Sequence, residues 1–103
     1  MFTPEVRNKL KSLNTDSIVI FGMETHVCVY QTVKDLLDEK FKVFLASDGI
    51  SSRFVEDRSV ALEQLRNWGA IVSTSESLIF ELLKDSKHEH FKEMSLIIKS
   101  RKY

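Results

Sequence analysis

The stretch Ser17-Ile18-Val19-Ile20-Phe21-Gly22-Met23-Glu24-Thr25-His26-Val27-Cys28-Val29 decides the fold. Its first five residues are a short, β-branched, continuously apolar run, the pattern of a strand buried on both faces of a parallel sheet. Gly22 ends the run. From Cys28 to Lys40 the apolar period turns helical. Val29, Val33, Leu36 and Leu37 share one side, with Lys34, Asp35, Asp38 and Glu39 on the other. A buried strand feeding an amphipathic helix is the opening of a βαβ unit.

The alternation continues in both directions. Upstream, Thr3 and Pro4 supply an N-cap hydroxyl and a first-turn proline. Val6, Leu10 and Leu13 then line one helical face, and Asn14-Thr15-Asp16 makes a turn. Downstream, Phe41 to Ala46 reads as a second strand, followed by a polar loop, Ser47-Asp48-Gly49-Ile50-Ser51-Ser52-Arg53. A helix from about Val55 to Trp68 places Ala61, Leu65 and Trp68 on one face, with Gly69 as its C-terminal cap. Ala70 to Ser73 is the third strand. Thr74 or Ser75 caps a helix that reaches about Lys84 with Leu78, Ile79, Leu82 and Leu83 inward. Ser86-Lys87-His88-Glu89 matches a capping box, which predicts a last helix from about Lys87 to Lys99 with Phe91, Met94 and Ile98 on its core side. Arg101, Lys102 and Tyr103 are expected to fray. The order α-β-α-β-α-β-α-α implies an α/β fold, a three-layer parallel sheet covered by helices. Three strands are few for that architecture, so the chain reads as part of a larger sheet with an open edge.

Composition narrows the function. The 103 residues allow one small domain. Fifteen Lys and Arg balance fifteen Asp and Glu, which argues against nucleic-acid binding. No apolar run approaches the ~18 residues of a membrane span. The charges at Glu5, Arg7, Lys9 and Lys11 leave no signal-peptide core in the first residues. A single Cys excludes an internal disulfide framework and fits a reducing compartment. The resulting expectation is a soluble, intracellular, cytoplasmic protein, although no residue separates cytosol from an organelle lumen. Gly22, Gly49 and Gly69 lie too far apart for a phosphate-cradling loop.

The turn from Gly22 to Cys28 is the place for chemistry, because ligands of open α/β sheets bind beyond the carboxyl ends of the strands. Cys28 falls at the expected helix start, where unpaired N–H groups and the dipole favour a thiolate nucleophile and an oxyanion. The competing reading is a small buried hydrophobe, the commoner fate of a lone Cys. His26 and Cys28 are two residues apart and need not face each other. Three His and one Cys make a closed zinc site improbable, so no metal and no cofactor are expected. His88 and His90 fit solvent exposure and capping. Asp48, Ser51, Ser52 and Arg53 read as a loop held by its own side chains rather than as a ligand site. Arg53 has Glu56 and Asp57 as near partners. Tyr30, Phe44, Trp68, Phe80 and Phe91 read as core or subunit contacts, and Phe54 as a pocket or interface residue.

Residues Ile18 to Val29, then Gln31-Thr32, closely resemble the nucleophile segment of the isochorismatase-like cysteine hydrolases, a superfamily that includes nicotinamidases and N-carbamoylsarcosine amidohydrolases. Ala46-Ser47-Asp48-Gly49-Ile50-Ser51-Ser52-Arg53, Asp57-Arg58, Ala61-Leu62 and Ser73-Thr74-Ser75-Glu76 fit the same pattern. Phe91-Lys92-Glu93 and Ile97-Ile98-Lys99 resemble the isochorismatase domain-containing proteins of eukaryotes in particular. The resemblance implies a parallel sheet of about five or six strands, with Cys28 as nucleophile of an Asp-Lys-Cys triad. It also implies a cis peptide between Met23 and Glu24, and an oxyanion hole from the backbone N–H groups of Glu24 and Cys28. The substrate would be a small amide or related C–N bond, opened through a thioester; isochorismate-type vinyl ethers fit less well, because enzymes acting on them generally do not rely on this Cys. Substrate-binding residues stay unassigned.

The family's Asp and Lys have no counterpart in this chain. Lys9 and Lys11 do not match the Lys, and Asp48 follows the wrong strand. Residues 1–103 therefore read as the C-terminal half of the domain, with Met1-Phe2-Thr3-Pro4 resembling a segment just after the family's Lys and Met1 an internal Met of a longer protein. Two outcomes follow from the resemblance: an impaired thiol hydrolase, or a non-catalytic truncated subunit that joins a homo-oligomer or a complementing chain.

Overall fold

The computed structural model describes residues 2–101. Helix α1 (Pro4–Ser12) starts where Thr3 Oγ1 accepts a hydrogen bond from the Val6 amide at 3.2 Å. Strand β1 (Ser17–Met23) leads through a helical turn into α2 (Tyr30–Asp38). Then come β2 (Lys42–Ser51), α3 (Val55–Asn67), β3 (Ile71–Ser73), α4 (Ser75–Leu83) and α5 (Phe91–Lys99). The three strands form one parallel sheet in the order β1-β2-β3. The architecture is therefore the expected α/β one.

One face of the sheet carries the core. Ile18 and Ile20 of β1 stand opposite Val43 and Leu45 of β2. They pack with Val33 and Leu36 of α2 and Leu65 of α3, and Phe41, Ile50 and Ala70 complete the cluster. Val33, Leu36, Val43, Leu45 and Leu65 are all but sealed from solvent, each worth roughly 1.5–3 kcal/mol of transfer energy. On the opposite face α4 lays Leu78 against the sheet, and α5 follows through the tilted ring contact of Phe80 with Phe91 at 5.5 Å. Glu39 at the end of α2 holds α1 through Arg7 at 3.4 Å and Lys11 at 3.5 Å.

Several expectations need correction. Gly22 does not end β1, which runs to Met23. Residues 47–51 are not a loop: β2 continues to Ser51 because Ile50 and Ser51 pair with Gly22 and Met23. Between Leu45 and Ile50, β2 takes five residues to cover what β1 covers in two. Gly22 has φ +127°, a conformation glycine adopts without strain. Gly49 lies so near β1 that a Cβ there would stand 3.2 Å from Phe21 Cβ. The capping box at Ser86 does not form. Asp85 Oδ1 accepts from the Lys87 amide at 2.7 Å and its carbonyl accepts from His88, so α5 starts only at Phe91. Arg101 does not fray but bonds Asp48, while the expected fraying of Lys102 and Tyr103 lies outside the described residues. Leu82, read as inward, and Val6, Leu13 and Trp68, read as members of an apolar helix face, are substantially exposed.

Candidate functional site

Cys28 lies beyond the carboxyl end of β1 in a π-helical turn, Thr25–Val29, and not at the first residue of the α-helix. The amides of Val27 and Val29 both donate to the Glu24 carbonyl, at 3.1 and 3.2 Å. The second of these is the wide i to i+5 closure, a geometry common where a helix carries a functional group. The wide turn leaves Cys28 exposed while Thr25 and Val29, on either side of it in the same turn, are buried. The small-buried-hydrophobe reading of Cys28 therefore fails. The peptide bond between Met23 and Glu24 is cis. Thr25 is fully buried, and its hydroxyl has no hydrogen-bond partner among the described residues.

The side chains around this turn form a polar network that no local pattern announces. His26 Nδ1 is 2.9 Å from Ser52 Oγ, just past the end of β2. Its Nε2 faces Glu24 Oε2 at 3.4 Å and Asp57 Oδ2 at 3.8 Å. Two carboxylates on that side favour a proton on Nε2, so in the neutral ring Nδ1 accepts from the Ser52 hydroxyl. Glu24 also holds Arg53 Nε at 3.0 Å, which replaces the expected pairing of Arg53 with Glu56 or Asp57. The network ties the Cys28 turn to the end of β2 and to the first turn of α3. Arg58 fastens the same region, donating to the carbonyls of Ile50 at 3.3 Å and of Ser47. A groove of about 270 Å³ opens on the His26 side, walled by Tyr30, Glu56, Asp57, Val60 and Gln64; Cys28 is not among its lining residues.

Of the other candidates, Ser51 pairs in the sheet and Asp48 faces away from this network. Asp48 receives the Ser75 amide at 2.7 Å, the Ser75 hydroxyl at 2.5 Å and Arg101 at 2.8 Å. The Ser75 hydroxyl, then its amide, hold the Asp48 carboxyl below the ordinary value near 3.8; partial burial opposes this and Arg101 adds to it. His88 and His90 are exposed, the Nδ1 of the first accepting from the amide of the second. Among the described residues no three His, Cys, Asp or Glu side chains gather to hold a metal ion. No helix among them is long and apolar enough to cross a membrane.

A parallel α/β sheet with a cysteine in a wide helical turn off its first strand is the scaffold of a family of hydrolases. The isochorismatase domain matches residues 1–77, and the chain belongs to the isochorismatase-like hydrolase family. It is 45% identical to isochorismatase family protein 1B of Dictyostelium discoideum across 99% of its own length and 50% of the relative's. It is 44% identical to isochorismatase domain-containing protein 1 of Danio rerio, over 96% of the chain and 35% of that protein. The solved structure of the MAR1 ribonuclease from Caenorhabditis elegans matches 95% of the chain with a TM-score of 0.89 and 39% identity, and half of that structure is covered. The chain thus spans half or less of the length of these relatives.

Proposed function

We propose that residues 1–103 are the C-terminal half of a cysteine hydrolase domain, and that Cys28 opens a small amide or related C–N bond. The observation that carries this reading is the exposed thiol in the turn beyond β1 of a family member. The Cys28 thiolate attacks the carbonyl carbon and an S–C bond forms. The carbonyl oxygen takes the negative charge, and the backbone N–H groups of Glu24 and Cys28 receive it. As the oxyanion collapses, the C–N bond breaks and the amine leaves with a proton. Water then adds to the thioester, the C–S bond breaks, and the acid and free thiol are restored. The base and cation that serve the proton transfers are the Asp and Lys that the family resemblance puts outside these residues. Triad members act as a unit, so the 103 residues alone turn over slowly. The balanced charge argues against a polyanionic substrate.

The test is acylation by 4-nitrophenyl acetate, followed by nitrophenolate release and by peptide mass mapping. The expected result is a burst of about one equivalent with the acetyl group on Cys28, then slow turnover. Cys28→Ala should lose the burst while its circular dichroism is unchanged. A full burst in Cys28→Ala would overturn the nucleophile assignment.

A further inference from the structure

Glu24 is the joint between two elements and belongs to neither. Met23, the last residue of β1, pairs with Ser51, and the π-helical turn starts at Thr25. The two soft dihedrals of a linking residue set the direction of its N–H. Here the carbonyl and both carboxylate oxygens of that residue are held. The carbonyl accepts from the Val27 and Val29 amides at 3.1 and 3.2 Å. Oε1 pairs with Arg53 Nε at 3.0 Å. Oε2, sealed from solvent, faces His26 Nε2 at 3.4 Å. The holders are fixed in turn. The pairing of Met23 with Ser51 sets Arg53 two residues past the sheet. His26 is kept in place by Ser52 Oγ, 2.9 Å from Nδ1, and by Asp57 Oδ2, 3.8 Å from Nε2. His26 and Cys28 are two residues apart in a turn closed i to i+5, so their side chains leave it on different sides. The groove that His26 lines does not include Cys28. The network therefore reaches the thiol only through the backbone of the turn.

We propose that the Glu24 carboxylate is a positioning group: clamped by Arg53 and His26, it keeps the Glu24 N–H aimed at the substrate's carbonyl oxygen. The proposal rests on the hydrolase reading above, in which that N–H and the one of Cys28 receive the oxyanion. It gives a task to a side chain whose residue there contributes only its backbone. A donor stabilises the developing charge only if it is aimed beforehand, and a displacement of about 1 Å can cost about 10²-fold in rate. The ion pair itself adds little to folding, because the Arg53 side chain is 76% exposed. Loss of the clamp therefore shows in acylation and hardly in stability.

The experiment compares two reactions of the same thiol. Acylation by 4-nitrophenyl acetate puts negative charge on a carbonyl oxygen before nitrophenolate leaves. Alkylation by iodoacetamide forms the S–C bond as iodide leaves and puts no charge on a carbonyl. Glu24→Ala should slow the burst about tenfold or more and leave alkylation within about twofold of wild type. Glu24→Gln, which keeps an acceptor for Arg53, should recover most of the burst. Arg53→Ala should slow the burst as well, and the double variant should be no slower than Glu24→Ala alone. Circular dichroism and urea midpoints confirm that each variant is folded; if Glu24→Ala is not, Arg53→Ala at its exposed site carries the same comparison. Equal slowing of acylation and alkylation would overturn the proposal, because it reads the thiol and not the aim of an amide. So would a wild-type burst in folded Glu24→Ala, or fully additive effects at Glu24 and Arg53, which would put Arg53 on the substrate. A wild-type chain that alkylates at Cys28 but gives no burst would sink the hydrolase reading itself, and the positioning role with it.

Discussion

Replacing Asp48 by Asn tests how the end of the central strand is held. The carboxylate takes two hydrogen bonds from Ser75, at 2.7 and 2.5 Å, and an ion pair from Arg101 at 2.8 Å. Hydrogen bonds to a charged group are worth about 1.5–3 kcal/mol each where water is excluded. The Asp48 side chain keeps a quarter of its surface, so screening brings the total down to about 1–2 kcal/mol. Asn retains one acceptor for the Ser75 amide but sets an NH2 group where the carboxylate met a second donor. In urea unfolding followed by circular dichroism at pH 7, the midpoint should fall by about 1 M. The pH dependence supplies the sign. The folded-state pKa is lowered, so the contribution is complete above the ordinary value near 3.8 and is lost as pH falls from there down through the folded-state value. The gap between wild type and variant should therefore begin to narrow near that ordinary value and go on narrowing below it. A penalty at pH 7 below about 0.3 kcal/mol, or one that stays constant down to pH 3.5, would refute the reasoning.

Two further substitutions probe the scaffold. Leu45→Ala, at a sealed position on the central strand, should cost about 2–5 kcal/mol and leave much of the helical circular dichroism lost at 25 °C. Arg58→Ala removes the donor to the Ser47 and Ile50 carbonyls. It should cost about 1–3 kcal/mol, with faster amide exchange concentrated in residues 46–52.

The helices and strands were legible wherever burial periodicity spoke with one voice. Val29, Val33 and Leu36 are buried as the helical spacing required, and the run from Ser17 is a strand. Reading failed where long-range pairing overrode local composition. Ser47-Asp48-Gly49 has the chemistry of a turn, yet β2 passes through it because Ile50 and Ser51 find partners on β1 beyond a shift in register. At Ser86 no box forms: Asp85 takes the Lys87 and His88 amides into a turn of its own, and α5 starts only at Phe91. The site divided along the same line. Cys28 and its turn announced themselves, because strand, glycine and helix are contiguous there. The His26–Ser52 contact joins residues 26 apart and exists only through the parallel register. Single spacing rules gave Arg53 its sequence neighbours, whereas the register gave it Glu24.

The strand order has a consequence for how the chain assembles. Because β1, β2 and β3 are neighbours both in space and along the chain, each new strand meets its template already made. Closing such loops involves about a quarter of the chain at a time, as in the 26-residue separation of His26 and Ser52, which keeps the entropy of each step modest. The Asp48–Arg101 contact is different, for it spans 53 residues and needs the far end of the chain. During synthesis it can form only after α4 and α5 have emerged, and it joins the end of α5 to a strand made earlier in the chain.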